Sequence, residues 1–433
     1  MAKLRRVLGL FELTIVGVGI ILGAGIYALV GKAAGLAGNA VWMSFIIAAV
    51  ISGITGLSYA ELSSMFPKAA AEYVYTRQGL GKTVAWFTGW LLILAGATAA
   101  STVSLGFAGY LNAMTPVPMT TAAIVLIVVM SIINFMGVKQ SISLAVIFSI
   151  IEALGLFLII FVALPHIGSI NYFEVKSVTG IFSAAALIFF AFIGFEELVR
   201  LAEETKGARK IVPRALILAI IITTIMYILV SLSAVSVLGW ERLSASDSPL
   251  ADVASKTLGR NTSIIMSAIA LVATFDTALL VLLAASRIAY GMSGEGSLPK
   301  ILSYVNPKTG SPSVAIATVG LLAVLFVFMG NIEKVGYLAD SLIFISFIVV
   351  NLCVIQLRYK QPKSRRGFKV PFNIGKFPVL PLVGIVTTFF LLMNVSYDIL
   401  SYSVALLMIG FVVYRFFKDN KKELDKANFR RLS

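Results

Sequence analysis

Twelve apolar runs of membrane-spanning length divide this chain, at residues 12 to 35, 40 to 63, 83 to 112, 119 to 138, 142 to 164, 181 to 202, 211 to 239, 262 to 292, 313 to 330, 335 to 358, 377 to 394 and 397 to 417. About 20 consecutive apolar residues reach across a bilayer as helix, so the pattern predicts an all-α polytopic membrane protein with twelve spans. A mean hydropathy of +0.97, with 59% hydrophobic and 13% charged residues, leaves no room for a soluble core of comparable size. The net charge of +15 does not call for nucleic acid, because a lipid-embedded chain collects Lys and Arg by the positive-inside rule. Lys3, Arg5 and Arg6 before the first run imitate a signal peptide, but the run is too long and lacks a small-residue cleavage site, so it reads as a retained first helix. The one cysteine, Cys353, excludes a disulfide framework.

With both termini cytoplasmic, only Lys32, Lys176, Arg242, Lys256, Arg260 and Lys334 of the 35 Lys and Arg lie outside, and the remaining 29 lie inside. That asymmetry sets the expected orientation, with residues 1–433 forming one membrane domain in the cell membrane. Residues 65 to 82, with Pro67, Lys68 and Arg77, are too polar to span and read as a cytoplasmic amphipathic segment. Between Glu241 and Arg260, Leu250, Val253, Ala254 and Leu258 recur at helical spacing after Pro249, predicting a short interfacial helix. Residues 419–433 form a charged cytoplasmic tail.

Two runs carry glycine where a continuous helix gains nothing from it. The first reads GVGIILGAGIYALVG from Gly17 to Gly31, with Gly23-Ala24-Gly25 at its middle; the sixth has Gly194 mid-run, followed by Glu196 and Glu197. At ~1.5 Å per residue, Gly23 lies ~17 Å from one end of its run and Gly194 ~20 Å from an end of its own, which places both near mid-bilayer. Broken backbone at that depth is tolerated only where it is buried in protein or lines a cavity. The half-helix after such a break turns free N–H groups and a positive dipole end toward the cavity, where they suit a carboxylate. Gly19 and Gly23 also form a small-xxx-small pair, so close packing is the competing explanation. Five spans separate the two breaks, the spacing of an inverted-repeat transporter: residues 10–165 as the first five-helix repeat, 180–360 as the second, and 375–418 as helices eleven and twelve.

Carboxylates inside a membrane are costly and therefore candidates for function. Glu152 in the fifth run and Asp276 in the eighth lie ~15 Å and ~21 Å from the ends of their runs, at the depth of the breaks. A buried carboxyl that is neutral until water arrives is a proton carrier, and two such groups in proximity titrate as a unit or hold a cation between them. Glu196 and Glu197 diverge by about 100° on a helix, so both face one cavity only if the backbone is unwound. Glu197 also has Arg200 within reach at i+3. Glu61, Asp340 and Asp398 read as interfacial charges near helix ends, and His166 as a surface residue. Tyr59, Thr98, Ser101, Thr274 and Thr277 read as hydroxyls bonded to neighbouring backbone. No HExxH pair, GxGD run or filter-like segment occurs, which disfavours a membrane-embedded enzyme or a channel; no metal or cofactor is expected.

The glycine motif of the first run, together with FFAFIGFEELVRLAEETKGARKIVPRAL from Phe189 to Leu216, resembles the amino acid, polyamine and organocation permease superfamily, closest to its cationic and neutral amino acid branches. The likeness extends through AEL at Ala60 to Leu62, FPKAAAEYVYTRQGLGK and ASRIAYGMSGEGSLPK, over roughly residues 10 to 360. It implies the LeuT-like five-plus-five inverted repeat with unwound helices one and six, and a secondary amino acid transporter rather than an enzyme. It further implies that backbone N–H groups of Gly23, Ala24 and Gly25 hold the substrate carboxylate. Carbonyls of Ile20 or Ile21, and of Phe190 with Ile193, then hold the ammonium beside the break at Gly194, with Phe190 as an aromatic lid and Glu196 as the acid after that break. Glu152 falls where relatives place a charged group of helix five, some of them a lysine. Asp276 suits H⁺ or Na⁺; Thr274 and Thr277 flank it at a spacing unlike that of a sodium site, which favours proton coupling through Glu152 with Asp276 or Glu196 assisting, and uncoupled or Na⁺-coupled exchange is the alternative within the same fold.

Overall fold

A computed structural model of the chain describes residues 8–66, 71–136, 138–201 and 205–432. Lys3, Arg5, Arg6, Pro67 and Lys68 fall outside the described residues, as do the side chains of Arg200 and of the tail from 417. Sixteen α-helices follow one another in order. They are α1 Leu10–Leu22, α2 Ala24–Ala37, α3 Val41–Met65, α4 Ala71–Gly79, α5 Lys82–Asn112, α6 Met119–Met136, α7 Val138–Ala163, α8 Val178–Ile188, α9 Glu197–Arg200, α10 Ala208–Ala245, α11 Pro249–Leu258, α12 Arg260–Gly294, α13 Ser313–Val327, α14 Ile332–Lys360, α15 Val379–Met393 and α16 Tyr397–Leu432. A two-residue β-ribbon, Asn373–Ile374 with Phe377–Pro378, is antiparallel and leads into α15.

Among the described residues, nine helical stretches are long and apolar enough to cross a membrane, and the bent pair α1 and α2 makes a tenth. The apolar runs at 313 to 330 and 377 to 394 form helices of 15 residues each. At ~1.5 Å per residue these reach ~22 Å, less than a ~30 Å hydrocarbon core. Local chemistry sets their limits: Pro312 and Pro378 immediately precede the two helices, and Gly330, at φ +70°, turns the chain after α13. The starts of other helices are capped as the side chains dictate. Ser177 accepts from the Gly180 N–H at 2.9 Å to open α8, and Asn331 accepts from the Glu333 and Lys334 N–H groups to open α14.

The helices pack around α5, which is buried from Ala85 to Tyr110 over most of its positions and lies against α12 and α14. Large apolar side chains cover the outside instead: Phe11, Phe157, Phe161, Leu321, Val386 and Val412 are exposed. An apolar core inside an apolar surface has lipid, not water, as its solvent.

Two readings near helix ends require correction. Glu61 is not interfacial: it is 1% exposed, and its carboxylate accepts from Arg358 Nε (2.7 Å) and Nη2 (2.6 Å), Arg366 Nε (2.9 Å) and the Val370 N–H (2.8 Å). Asp340 is not interfacial either, being fully buried within α14. The polar segment between 65 and 82 contains the short helix α4, which buries Tyr75 against Tyr59 and Phe66 on one side while Arg77 pairs with Glu295 at 2.8 Å on the other. Asp398 is exposed and His166 half-buried. The short helix after Pro249 is present as α11, with Leu250, Val253 and Ala254 buried against protein and Leu258 exposed.

Candidate functional site around the two broken spans

The first span loses its helical path at one residue. Gly23 has φ −25° and ψ −162° between α1 and α2, whose axes meet at 45°. The sixth run breaks over a longer stretch. Helix α8 tightens into a 3₁₀ turn at Phe189–Phe192, Ile193 is extended, Gly194 sits at φ +120°, and α9 resumes at Glu197. A side chain at Gly194 would be strained in that backbone region.

The two breaks lie against each other. A Cβ on Gly25 would come 2.5 Å from the Ala191 Cα, and one on Gly194 would come 3.2 Å from the Ile20 carbonyl oxygen. Both glycines therefore serve close backbone approach as well as the break itself. Ile21, Gly23, Ala24, Gly25, Phe190 and Gly194 are buried, and Ile20 and Ile193 are half-buried. The residues at the breaks are thus mostly shut away from the surface in this conformation.

Two polar side chains reach the breaks: Thr277, whose bond to neighbouring backbone was expected but whose reach to the first break was not, and Tyr227, which the sequence reading did not single out. Thr277 of α12 bonds its own helix at the Ala273 carbonyl and also accepts the Ala24 N–H at 2.9 Å, so it caps the start of α2 from 253 residues away. Thr98, Ser101 and Thr274 bond neighbouring carbonyls, as expected. Tyr227 of α10 points its hydroxyl at the carbonyls of Ile21 and Ala191, one beside each break. These carbonyls belong to the stretches from which an ammonium group was expected to be held. A hydroxyl has one proton to share between them, so Tyr227 ties the two broken spans together. Its only signal in sequence is a tyrosine in the middle of an apolar run. Tyr227→Phe leaves both carbonyls one donor short, at a cost of ~1–3 kcal/mol for each buried group left unpaired. The purified variant is expected to melt at a lower temperature than wild type; an unchanged melting point rules the bridge out.

The acidic residues divide into two groups. Glu152 on α7 and Asp276 on α12 are 1% and 3% exposed, and each has one carboxylate oxygen without a hydrogen-bond partner. The Glu152 carbonyl accepts the Tyr27 hydroxyl at 2.6 Å, and the Tyr27 carbonyl accepts that of Tyr110 at 2.8 Å, so α7, α2 and α5 are joined beside the first break. Glu196 is separate from that pair. It is 4% exposed and folds back so that Oε2 accepts the Gly194 N–H at 2.9 Å, which stabilises the turn after the 3₁₀ segment. Asp340 was not among the expected site residues, yet it approaches the second break at the Phe190 backbone amide.

Comparison with known proteins is consistent with this geometry. Residues 8–422 match the family described as amino acid permease. The chain is 32% identical to the branched-chain amino acid permease BcaP of Bacillus subtilis (strain 168), over 98% of this chain and 95% of that protein. It is 29% identical to the methylthioribose transporter of the same organism, over 88% and 86% of the two chains. It is 28% identical to cationic amino acid transporter 4, vacuolar, of Arabidopsis thaliana, over 83% of this chain and 64% of that one.

Proposed function

This chain belongs to the amino acid permease family, and from that premise we propose that it is a secondary active transporter moving a small amino acid by alternating access, coupled to protons. The relatives are named as permeases and transporters rather than enzymes. In this reading the 15-residue helices α13 and α15 complete twelve spans, and residues 10–165 and 180–360 are the two inverted repeats. The termini are cytoplasmic and the membrane is that of the cell.

The observation that carries the proposal is the mutual packing of the two breaks, Gly25 on Ala191 and Gly194 on Ile20. Breaks in two spans that meet at mid-depth offer peptide N–H and C=O groups to one zwitterion. Its carboxylate takes the N–H groups of Gly23 to Gly25 at the start of α2, and its ammonium takes the carbonyls beside the breaks. For this to happen Thr277 releases the Ala24 N–H and Tyr227 shares its carbonyls. The surroundings, Ile20, Ile21, Phe190, Ala191 and Ile193, are apolar, which favours an aliphatic side chain; the likeness to a branched-chain permease points the same way.

Proton coupling rests on the Glu152 and Asp276 pair. Two buried carboxyls, each with an oxygen left without a hydrogen-bond partner, are costly to ionise, so a proton bound with closure and released with opening would couple transport to pH. Two measurements test the proposal. Purified protein screened against the twenty amino acids by thermal shift should be stabilised by leucine, isoleucine or valine, since a ligand at 100 times its Kd adds ~2.7 kcal/mol to the native state. No stabilisation by any amino acid rejects the substrate class. In liposomes, Glu152→Gln should lower pH-driven uptake relative to exchange at symmetrical pH by roughly tenfold, the weight of about 1.4 kcal/mol. An unchanged ratio removes Glu152 from coupling, and uptake driven by Na⁺ instead replaces the coupling ion.

A further inference from the structure

We propose that Asp340, on α14 beside the 3₁₀ turn of the broken sixth span, is a second proton-binding site on a different helix from Glu152 and Asp276; the inference rests on the transport reading above. The residue lies eight positions into α14, so it is ~12 Å below the start of that helix. Its side chain is fully buried, and neither carboxylate oxygen has a hydrogen-bond partner of ordinary geometry. The backbone amide of Phe190, in the 3₁₀ turn that opens the second break, is the polar group that acts on it from another element. One turn before Asp340 on α14, Tyr337 donates its hydroxyl to the Ser183 carbonyl of α8 at 2.9 Å, and one turn after it Phe344 packs edge-on against Phe189 at 4.9 Å. Asp340 thus sits between two contacts that seat α14 on the first half of the broken span.

Apart from the Phe190 N–H, a carboxylate in such a place has no source of compensation among the described residues. The charged and titratable groups around it are few. Glu333, Lys334 and Tyr337 precede it on its own helix; Lys334 is exposed, Lys32 of α2 is bonded to Ser244 and Asp247, and Tyr337 is bonded away to Ser183. Helix α8, the 3₁₀ turn and α15 carry no charged residue. The charge of α3 is Glu61, engaged by Arg358, which stands eighteen residues further along α14 than Asp340, ~27 Å away. Lys82 is at the far end of α5, Arg77 of α4 is paired with Glu295, and Asp398 of α16 is exposed. An unpaired ionised group buried in lipid-embedded protein costs several kcal/mol, so the closed conformation holds Asp340 as the neutral acid. Phe190 belongs to the segment that has to move for the site to open. Water admitted by that movement hydrates the carboxylate; the O–H bond breaks, and the proton passes to water on that side. Closing requires a proton to return from water to the carboxylate. Proton binding at Asp340 and closure of the sixth span are therefore the same equilibrium seen from two ends.

The test combines a transport ratio with a spectroscopic reading. In liposomes, Asp340→Asn should lower the ratio of pH-driven uptake to exchange at symmetrical pH about tenfold, and Asp340→Glu, which still titrates, should restore it with a displaced pH midpoint. If the asparagine variant does not fold, the glutamate variant carries the transport test, and an unmoved midpoint overturns the inference. Independently of transport, the infrared C=O stretch of a neutral carboxylic acid should persist at neutral pH in the Glu152→Gln, Asp276→Asn double variant and weaken when Asp340→Asn is added. An unaltered band on that addition overturns the inference. So does a wild-type ratio in Asp340→Asn alongside a lowered one in Glu152→Gln, which would leave the transport reading intact. A wild-type protein whose uptake ignores the pH gradient rejects proton coupling itself.

Discussion

Gly25→Val is expected to lower amino acid uptake about a hundredfold, equivalent to ~2.7 kcal/mol at the rate-limiting step, in protein that still inserts and purifies. The reason is the identity of the atoms a side chain would meet. A Cβ at residue 25 would lie 2.5 Å from the Ala191 Cα, 2.8 Å from its Cβ and 3.0 Å from its amide nitrogen. Two of these three atoms are backbone, which has no rotamer in which to give way, so the two breaks must separate. Overpacking in an ordinary core costs ~1–3 kcal/mol. Here the displaced elements are also the ones that carry the N–H and C=O groups assigned to the substrate, so the loss falls on transport. Even Gly25→Ala should fall short of wild type. The control is Gly53, mid-helix in α3, where an added Cβ meets nothing within 4 Å. Alanine there should raise stability by ~0.5–1 kcal/mol through helix propensity and leave uptake unchanged. Initial uptake rates in liposomes and melting temperatures read both. Wild-type uptake by Gly25→Ala would mean that the spans are not held this close when the transporter works.

The breaks were legible in the sequence because glycine in the middle of an apolar run has few other uses, and two such runs stood five spans apart. Their mutual contact was not legible, since nothing in either run says that residue 25 touches residue 191. Depth was partly legible and partner was not. Glu61 and Asp340 were read by distance from the end of an apolar run, which says how far a residue sits from water along its helix but not which face it occupies. Glu61 meets Arg358 and Arg366 almost 300 residues later. Asp340 turns inward on a helix that begins at Ile332, three residues before the apolar run starts. Thr277 and Tyr227 were hidden for a related reason: a hydroxyl in a membrane helix ordinarily bonds its own backbone, as Thr98 and Thr274 do, and only coordinates show which hydroxyl crosses to a broken neighbour.

Glu61→Gln is expected to cost ~3–5 kcal/mol, enough to remove most of the folded protein from a chain whose total stability is ~5–15 kcal/mol. One carboxylate, 1% exposed, accepts four hydrogen bonds from two guanidinium groups and the Val370 amide, and the Arg358 and Arg366 side chains are 4% and 9% exposed. Burying two positive charges against one negative is tolerable only while every lone pair is used. The remaining Arg366 protons go to the carbonyls of Leu357, Gln361, Pro362 and Ser364, which folds the 361–370 segment under the end of α14. Glutamine keeps the shape but removes the charge and turns one acceptor into a donor aimed at a cation. The loss should appear as a collapse of the monodisperse peak in detergent size-exclusion chromatography. Adding Arg366→Gln, which removes one of the two uncompensated charges, should recover part of it; no recovery would mean that the glutamate acts through packing rather than charge. Salt gives a further discrimination. The surface pair Arg77 and Glu295, whose side chains are 41% and 50% exposed, is open to screening, and Arg77→Ala should cost ~1 kcal/mol or less. The Glu61 cluster is shielded from ions, so its contribution should survive an ionic strength at which that of the surface pair has gone. A Glu61→Gln variant as stable as Arg77→Ala would show that the two arginines find other partners, and that burial alone holds α3 to the end of α14.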